Sequence, residues 1–192
     1  MDLFFNPRSV AVIGASNKPF NLAATICALL KSVGYRGSIY AVNTSGEDVQ
    51  GCSGFTSVLE IPHEVDLAVI LVPAQHVPEA ARQCGEKGIL NLVIESAGFA
   101  EEGEGGVRLQ AELDRIAAAY GIRYLGPNCL GTLSSKDRFC CFFGVTPDSA
   151  YGASMIREGS LSYVIQSGGV AGLVLESLLS DVAGINKIVC IG

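Results

Sequence analysis

The sequence of 192 residues carries 13 Lys and Arg against 19 Asp and Glu, a formal net charge of −6, which excludes the clustered basic composition of a protein that grips nucleic acid through its phosphates. Hydrophobic residues reach 49% and charged ones only 17%, against about 25% charged in an ordinary soluble domain. With 23 glycines in a chain long enough for one generous domain or two small ones, a disordered tail is excluded and a heavily buried core with many tight turns is expected.

The elements follow in order. Residues 9–13 form a short continuous apolar run ending at Gly14, the pattern of a strand covered on both faces. Apolar positions at helical spacing predict a helix over 21–33, stopped by Gly34. Strands are predicted at 38–42, 67–72, 89–94 and 122–125, and helices at 77–87 and 105–120. This alternation predicts an α/β fold, a Rossmann-like parallel sheet with helices on both faces. Ligands of such sheets lie outside the carboxyl ends of the strands. From about 132 to 158 the pattern dissolves and reads as a connection. A strand at 161–165, a helix at 170–179 and a strand at 186–191 then begin a second, flavodoxin-like α/β domain, expected to be incomplete within these residues. The expected division is 1–128, a connecting stretch 129–158, and 159–192.

Other classes are absent from the pattern. No apolar run approaches the ~20 residues of a spanning helix, and the N-terminus lacks the basic-then-apolar order of an export signal. Seven scattered cysteines without a Cys-x-x-Cys pair, beside two histidines, predict neither a disulfide framework nor a zinc site. No metal and no membrane are expected, and the thiols suit a reducing cytoplasm.

Three turns carry chemistry. Gly14, Ala15, Ser16 and Asn17 join a strand to a helix whose first amides and dipole attract an anion. The turn is not the Gly-x-Gly-x-x-Gly fingerprint, and Asn43 stands where a nicotinamide-binding domain wants an acid. Its bland alternative is an ordinary turn capped by Ser16 or Asn17. In Gly126-Pro-Asn-Cys-Leu-Gly131, proline is expected to push Gly126 into an extended shape and leave Asn128 at the strand tip, ready to bond; the alternative is a simple interdomain turn. Cys129 has no His near it in sequence to make it a nucleophile. Gln166, Ser167 and Gly168 form another strand-to-helix anion nest. His63 and His76, beside prolines, read as surface or capping residues, and the acidic run at 101–104 as a solvated loop entering a helix.

Read together, 6–16, 34–43, 65–73, Ser96-Ala-Gly-Phe99, Gly126-Pro-Asn-Cys-Leu-Gly131 and Gln166-Ser-Gly168 resemble the nucleoside-diphosphate-forming acyl-CoA synthetases over nearly the whole chain. They match that family's CoA-binding domain and the start of its next ligase domain. The resemblance implies that the first turn holds the phosphates of coenzyme A, that Val42 and Asn43 with Val72, Pro73 and Ala74 contact the adenosine part, and that Ser96, Ala97, Asn128 and Cys129 line the pantetheine arm. Gln166, Ser167 and Gly168 would hold a phosphoryl group carried by a histidine outside these residues. An acid–CoA ligase with an ATP-grasp subunit or domain as partner, in an oligomer, is implied, with no catalytic residue in this chain and no turnover by it alone. The chain departs from the family pattern at Phe20, Asn21 and Ala23, where more glycine and a lysine are usual, and at Thr44, Ser45 and Gly46, where Pro and Lys are usual. Those departures keep open a CoA-sensing regulatory module fused to an acyltransferase.

Overall fold

The computed structural model describes residues 2–142, 157–170 and 184–192. Six strands form one parallel sheet: β1 (Ser9–Ile13), β2 (Ser38–Val42), β3 (Ser53–Phe55), β4 (Leu67–Ile70), β5 (Asn91–Ile94) and β6 (Arg123–Leu125). Their order is β3-β2-β1-β4-β5-β6, and every neighbouring pair is parallel. The chain reverses its direction of winding between β1 and β4, the crevice where sheets of this order take their ligands.

Side-chain alternation along β1 explains the layers. Val10 and Val12 face α1 (Leu22–Ser32) through Ile26, Leu29 and Leu30. Ala11 and Ile13 face α2 (Val77–Lys87) and α3 (Glu104–Tyr120) through Ala81, Cys84, Leu113 and Ile116. Helices therefore cover both faces, as the apolar runs predict.

A second sheet has the order β8-β7-β10-β9, built from β7 (Thr132–Ser134), β8 (Phe139–Cys140), β9 (Glu158–Ile165) and β10 (Ile185–Cys190). β10 runs parallel to β9 and antiparallel to β7. The stretch read as a connection thus contributes two strands. Thr132 and Ser134 are buried there because their hydroxyls are satisfied: Thr132 donates to the Phe4 carbonyl at 2.8 Å and Ser134 to Asp137 at 2.6 Å. Leu133, Phe139 and Phe142 pack in one cluster with Val10 and Leu29, so no break in the core falls at residue 128. The helix expected at 170–179 lies, beyond Val170, outside the described residues.

Strand ends also differ from expectation. The run 67–72 leaves the ladder after Ile70, because Val72 is clasped by a side chain from the next strand end. β3 was not anticipated; Ser53-Gly-Phe55 has no apolar run, and a Cβ at Gly54 would overlap the Glu47 carbonyl.

Candidate functional site

The carboxyl ends of β1, β2, β4 and β5 meet along one edge. Gly14 adopts φ +102° and its amide donates to the Val42 carbonyl at 2.8 Å. A Cβ there would overlap the Leu71 carbonyl oxygen, so glycine is required where three strand ends converge. Ala15 behind it is fully buried.

The cap of α1 is neither Ser16 nor Asn17 but Asn21. Its Oδ1 accepts from the Ala24 amide at 2.7 Å and the Ser16 amide at 3.2 Å, and its Nδ2 donates to the Gly14 carbonyl at 3.1 Å. The residue that departs from the family pattern is therefore the one that fixes the turn. Asn17 instead donates to the Asp48 carbonyl at 3.0 Å, tying the turn to the segment after β2. Phe20, also a departure, has φ +60° and is fully exposed.

Asn43 is committed to its own loop. Its Oδ1 accepts from the Ser45 amide, the Ser45 hydroxyl and the Glu47 amide at 3.1, 2.8 and 3.2 Å, and its Nδ2 donates to the Glu47 carbonyl at 2.9 Å. This network shapes Thr44, Ser45 and Gly46. Ser96 closes the next pair of tips: its hydroxyl donates to the Val72 carbonyl at 2.6 Å and accepts from the Val72 amide at 3.1 Å. Pro73 and Ala97 stay exposed, and Ala74 is half-buried.

The Asn128 turn rests on this clasp, its amide donating to the Ser96 carbonyl at 2.9 Å. Asn128 is exposed, at φ +60°, and its side-chain amide bonds to no other described residue. Gly126 is not extended: it takes φ +90° before a cis proline, and a Cβ on it would overlap the Ile94 carbonyl. Cys129 is buried, its thiol donates to that carbonyl at 3.4 Å, and burial pushes its pKa up. It is held as a thiol, the wrong form for a nucleophile.

The second nest joins the same edge. The Gly126 amide donates to the Ile191 carbonyl at 3.2 Å, and Gly168 packs so close to Leu130 that a Cβ would stand 3.2 Å from its side chain. Gln166 and Ser167 are exposed beside it. Of the predicted site residues, Gly14 through Asn128 share the edge of the first sheet, and Gln166 to Gly168 abut its Asn128 end.

Sequence reasoning missed Glu95. It follows Ile94 at the end of β5, is only 4% exposed, and neither carboxylate oxygen has a partner among the described residues. Burial, and then the nearby Cys190 thiol, hold its pKa well above the usual carboxylate range. Gly131 makes room for it, since a Cβ there would lie 2.7 Å from Oε1. The available signal was a carboxyl directly after a continuous apolar run. His63 stacks on Tyr40 with centroids 6.4 Å apart, a surface role. Among the described residues no group of His, Cys, Asp or Glu could hold a metal ion, and no helix is long and apolar enough to cross a membrane.

Known proteins are similar to this chain over most or all of its length. The model of a family described as CoA binding domain matches residues 8–135. The chain is 40% identical, over its whole length, to the acetate–CoA ligase [ADP-forming] II subunit alpha of Pyrococcus furiosus, spanning 40% of that protein. It is 32% identical to the 4-hydroxybutyrate–CoA ligase [ADP-forming] of Nitrosopumilus maritimus, with 97% of this chain covering 26% of that one. In structure, all of the chain superposes on 40% of the apo dinucleotide forming acetyl-coenzyme A synthetase 1 of Ca. Korarchaeum cryptofilum, with a TM-score of 0.90 and 32% identity. The chain thus spans less than half the length of these relatives, and by the matched residues and the fold it belongs to the CoA binding domain family.

Proposed function

We propose that this chain is the CoA-holding part of an ADP-forming acid–CoA ligase, which joins a carboxylic acid to CoA at the expense of ATP through an acyl phosphate and a phosphohistidine carried by other parts of the protein. The observation that carries the reading is the strand-end edge, where Gly14 admits close backbone approach and Asn128 presents, at the far end, an exposed amide with no side-chain partner among the described residues. In this reading the turn from Gly14 to Asn17 and the positive end of α1 take the CoA phosphates. Val42, Asn43, Val72, Pro73 and Ala74 flank the adenosine, and Ser96, Ala97, Asn128 and Cys129 line the pantetheine arm. Gln166, Ser167 and Gly168, next to the end of that arm, hold the phosphoryl group. Val42 and Asn43 act through backbone and shape, because the Asn43 side chain is already engaged.

The functional division falls near residue 128, with 1–128 holding CoA and 159–192 beginning the ligase part. An ATP-grasp subunit or domain supplies the nucleotide chemistry, in an oligomer; the relative from Pyrococcus furiosus bears the name of an alpha subunit, which supports such a partner. A cytoplasmic setting is supported by seven buried cysteines, all free thiols.

Calorimetric titration of the chain with CoA and with NAD tests the reading. Tighter binding of CoA is expected, since Asn43 offers no carboxylate to a ribose. Tighter binding of NAD overturns it.

A further inference from the structure

At the opposite end of the first sheet, beside the starts of β1 and β2, lies a cleft of about 470 Å³, a size typical of small-molecule pockets, roughly 300–1,000 Å³. Its walls come from the segment before β1, the loop before β2 and the turn between β7 and β8. Both sheets therefore contribute to it, and it lies away from the strand-end edge.

Its charge is opposite to that of the chain. Arg8, Arg36, Lys136 and Arg138, four of the 13 cationic residues of a protein with net charge −6, line this one concavity. Of the carboxylates beside them, Asp66, Asp137 and Glu64, only Asp137 lines the cleft, so cations remain in excess there. Asp66 takes Arg8 through both its oxygens at 2.9 and 3.0 Å, and Asp137 accepts the Ser134 hydroxyl at 2.6 Å. The remaining three, Arg36, Lys136 and Arg138, form no ion pair among the described residues. Like charges gathered in a concavity repel one another and raise the local concentration of anions.

The walls are fixed. The Tyr35 hydroxyl donates to the Pro7 carbonyl at 2.9 Å and its ring stands edge-on to Phe139, 5.5 Å between centroids. At Gly37 a Cβ would overlap both the Tyr35 hydroxyl and the Arg8 carbonyl. Arg138 adopts φ +51°, uncommon for a residue with a side chain, and its amide closes the turn on the Ser135 carbonyl at 3.2 Å. Arg36, Lys136 and Arg138 are exposed on this braced backbone, and two guanidinium forks and one ammonium around one concavity suit the oxygens of adjacent phosphate groups. An acidic peptide would need an extended groove instead.

We infer that this cleft is a second anion site, which takes a ligand bearing two or more linked phosphate groups. The inference does not rest on the CoA reading.

The test is calorimetric titration of the full chain with inorganic diphosphate, in the presence of saturating CoA so that the strand-end edge is filled. Diphosphate is expected to bind under these conditions. Arg36→Ala and Arg138→Ala are each expected to weaken it about tenfold, the size of one charge-assisted contact, and to leave CoA affinity unchanged. Arg36→Gln and Arg138→Gln, which keep the bulk of the side chain, repeat the measurement should either alanine variant fail to fold. A parallel titration with ADP separates the sources: tighter binding than diphosphate assigns a nucleotide, and equal or weaker binding assigns free diphosphate, both within the inference. Loss of diphosphate binding on adding CoA overturns it, as does indifference to both substitutions. Tighter binding of a polyaspartate peptide through the same residues overturns it in favour of a protein partner. Should CoA itself fail to bind, the CoA reading falls, and the diphosphate titration alone still decides the cleft.

Discussion

Asn128 holds a left-handed backbone at φ +60°, anchored by its amide to the Ser96 carbonyl, while its side chain makes no bond to another described residue. An exposed amide held on a fixed turn costs the fold little to lose and a ligand more. Asn128→Ala is therefore expected to weaken CoA about two- to tenfold, the worth of one neutral hydrogen bond at ~0.5–1.5 kcal/mol, with only a small fall in melting temperature from placing Ala at a positive φ. A fall in melting temperature with unchanged CoA affinity would assign Asn128 to the turn alone. Glu95 makes the converse case, because its effect is on stability. Its folded pKa lies above that of the unfolded chain, so between the two values the native state binds the extra proton. Stability then falls as pH rises above about 4.3, the unfolded value, by about 1.4 kcal/mol per pH unit within that window. Glu95→Gln, which cannot ionise, is expected to be flatter with pH and more stable than the native chain at neutral pH. Urea midpoints between pH 5 and 8 check this, and parallel pH profiles for the two proteins would refute it.

At the scale of the element, α1 depends on a residue that composition alone does not distinguish. Asn21 caps the helix, holds the Ser16 amide and grips the Gly14 carbonyl at once. Asn21→Ala is expected to cost about 1 kcal/mol, as N-cap losses do, or about 2–4 °C in a chain of this size. CoA binding is expected to weaken with it, because the turn loses its brace; circular dichroism melts and the same calorimetry measure both, and unchanged melting would disprove the cap. The strands at 9–13 and 38–42 are legible because a buried parallel strand needs an unbroken apolar run, and so is the strand-end edge that carries the candidate site. β3 was not, since an edge strand of Ser-Gly-Phe is stabilised by pairing with β2 and carries no pattern of its own. β7 was hidden by its own polar residues: Thr132 and Ser134 look solvated until Phe4 and Asp137 are seen to bond them. Asn21 and Glu95 were missed for the same reason. What each does depends on groups brought near by folding.

At the scale of the whole molecule, the division of labour proposed near residue 128 does not coincide with a division of packing. Leu133, Phe139 and Phe142, all fully or nearly fully buried, share one buried cluster with Val10, Leu29 and Leu30 on the α1 face of the first sheet. Each such side chain contributes about 1.5–3 kcal/mol by burial, so the three together supply a large share of the about 5–15 kcal/mol net stability of an ordinary domain. A chain ending at residue 128 would also lose every partner that the second sheet supplies to the buried cluster on that face. It is expected to show no cooperative melt and to bind a hydrophobic dye, whereas the full chain melts in one transition by far- and near-ultraviolet circular dichroism alike. A cooperatively folding fragment of residues 1–128 with native CoA affinity would show instead that the second sheet only leans on the first, and that the boundary of function is a boundary of folding too.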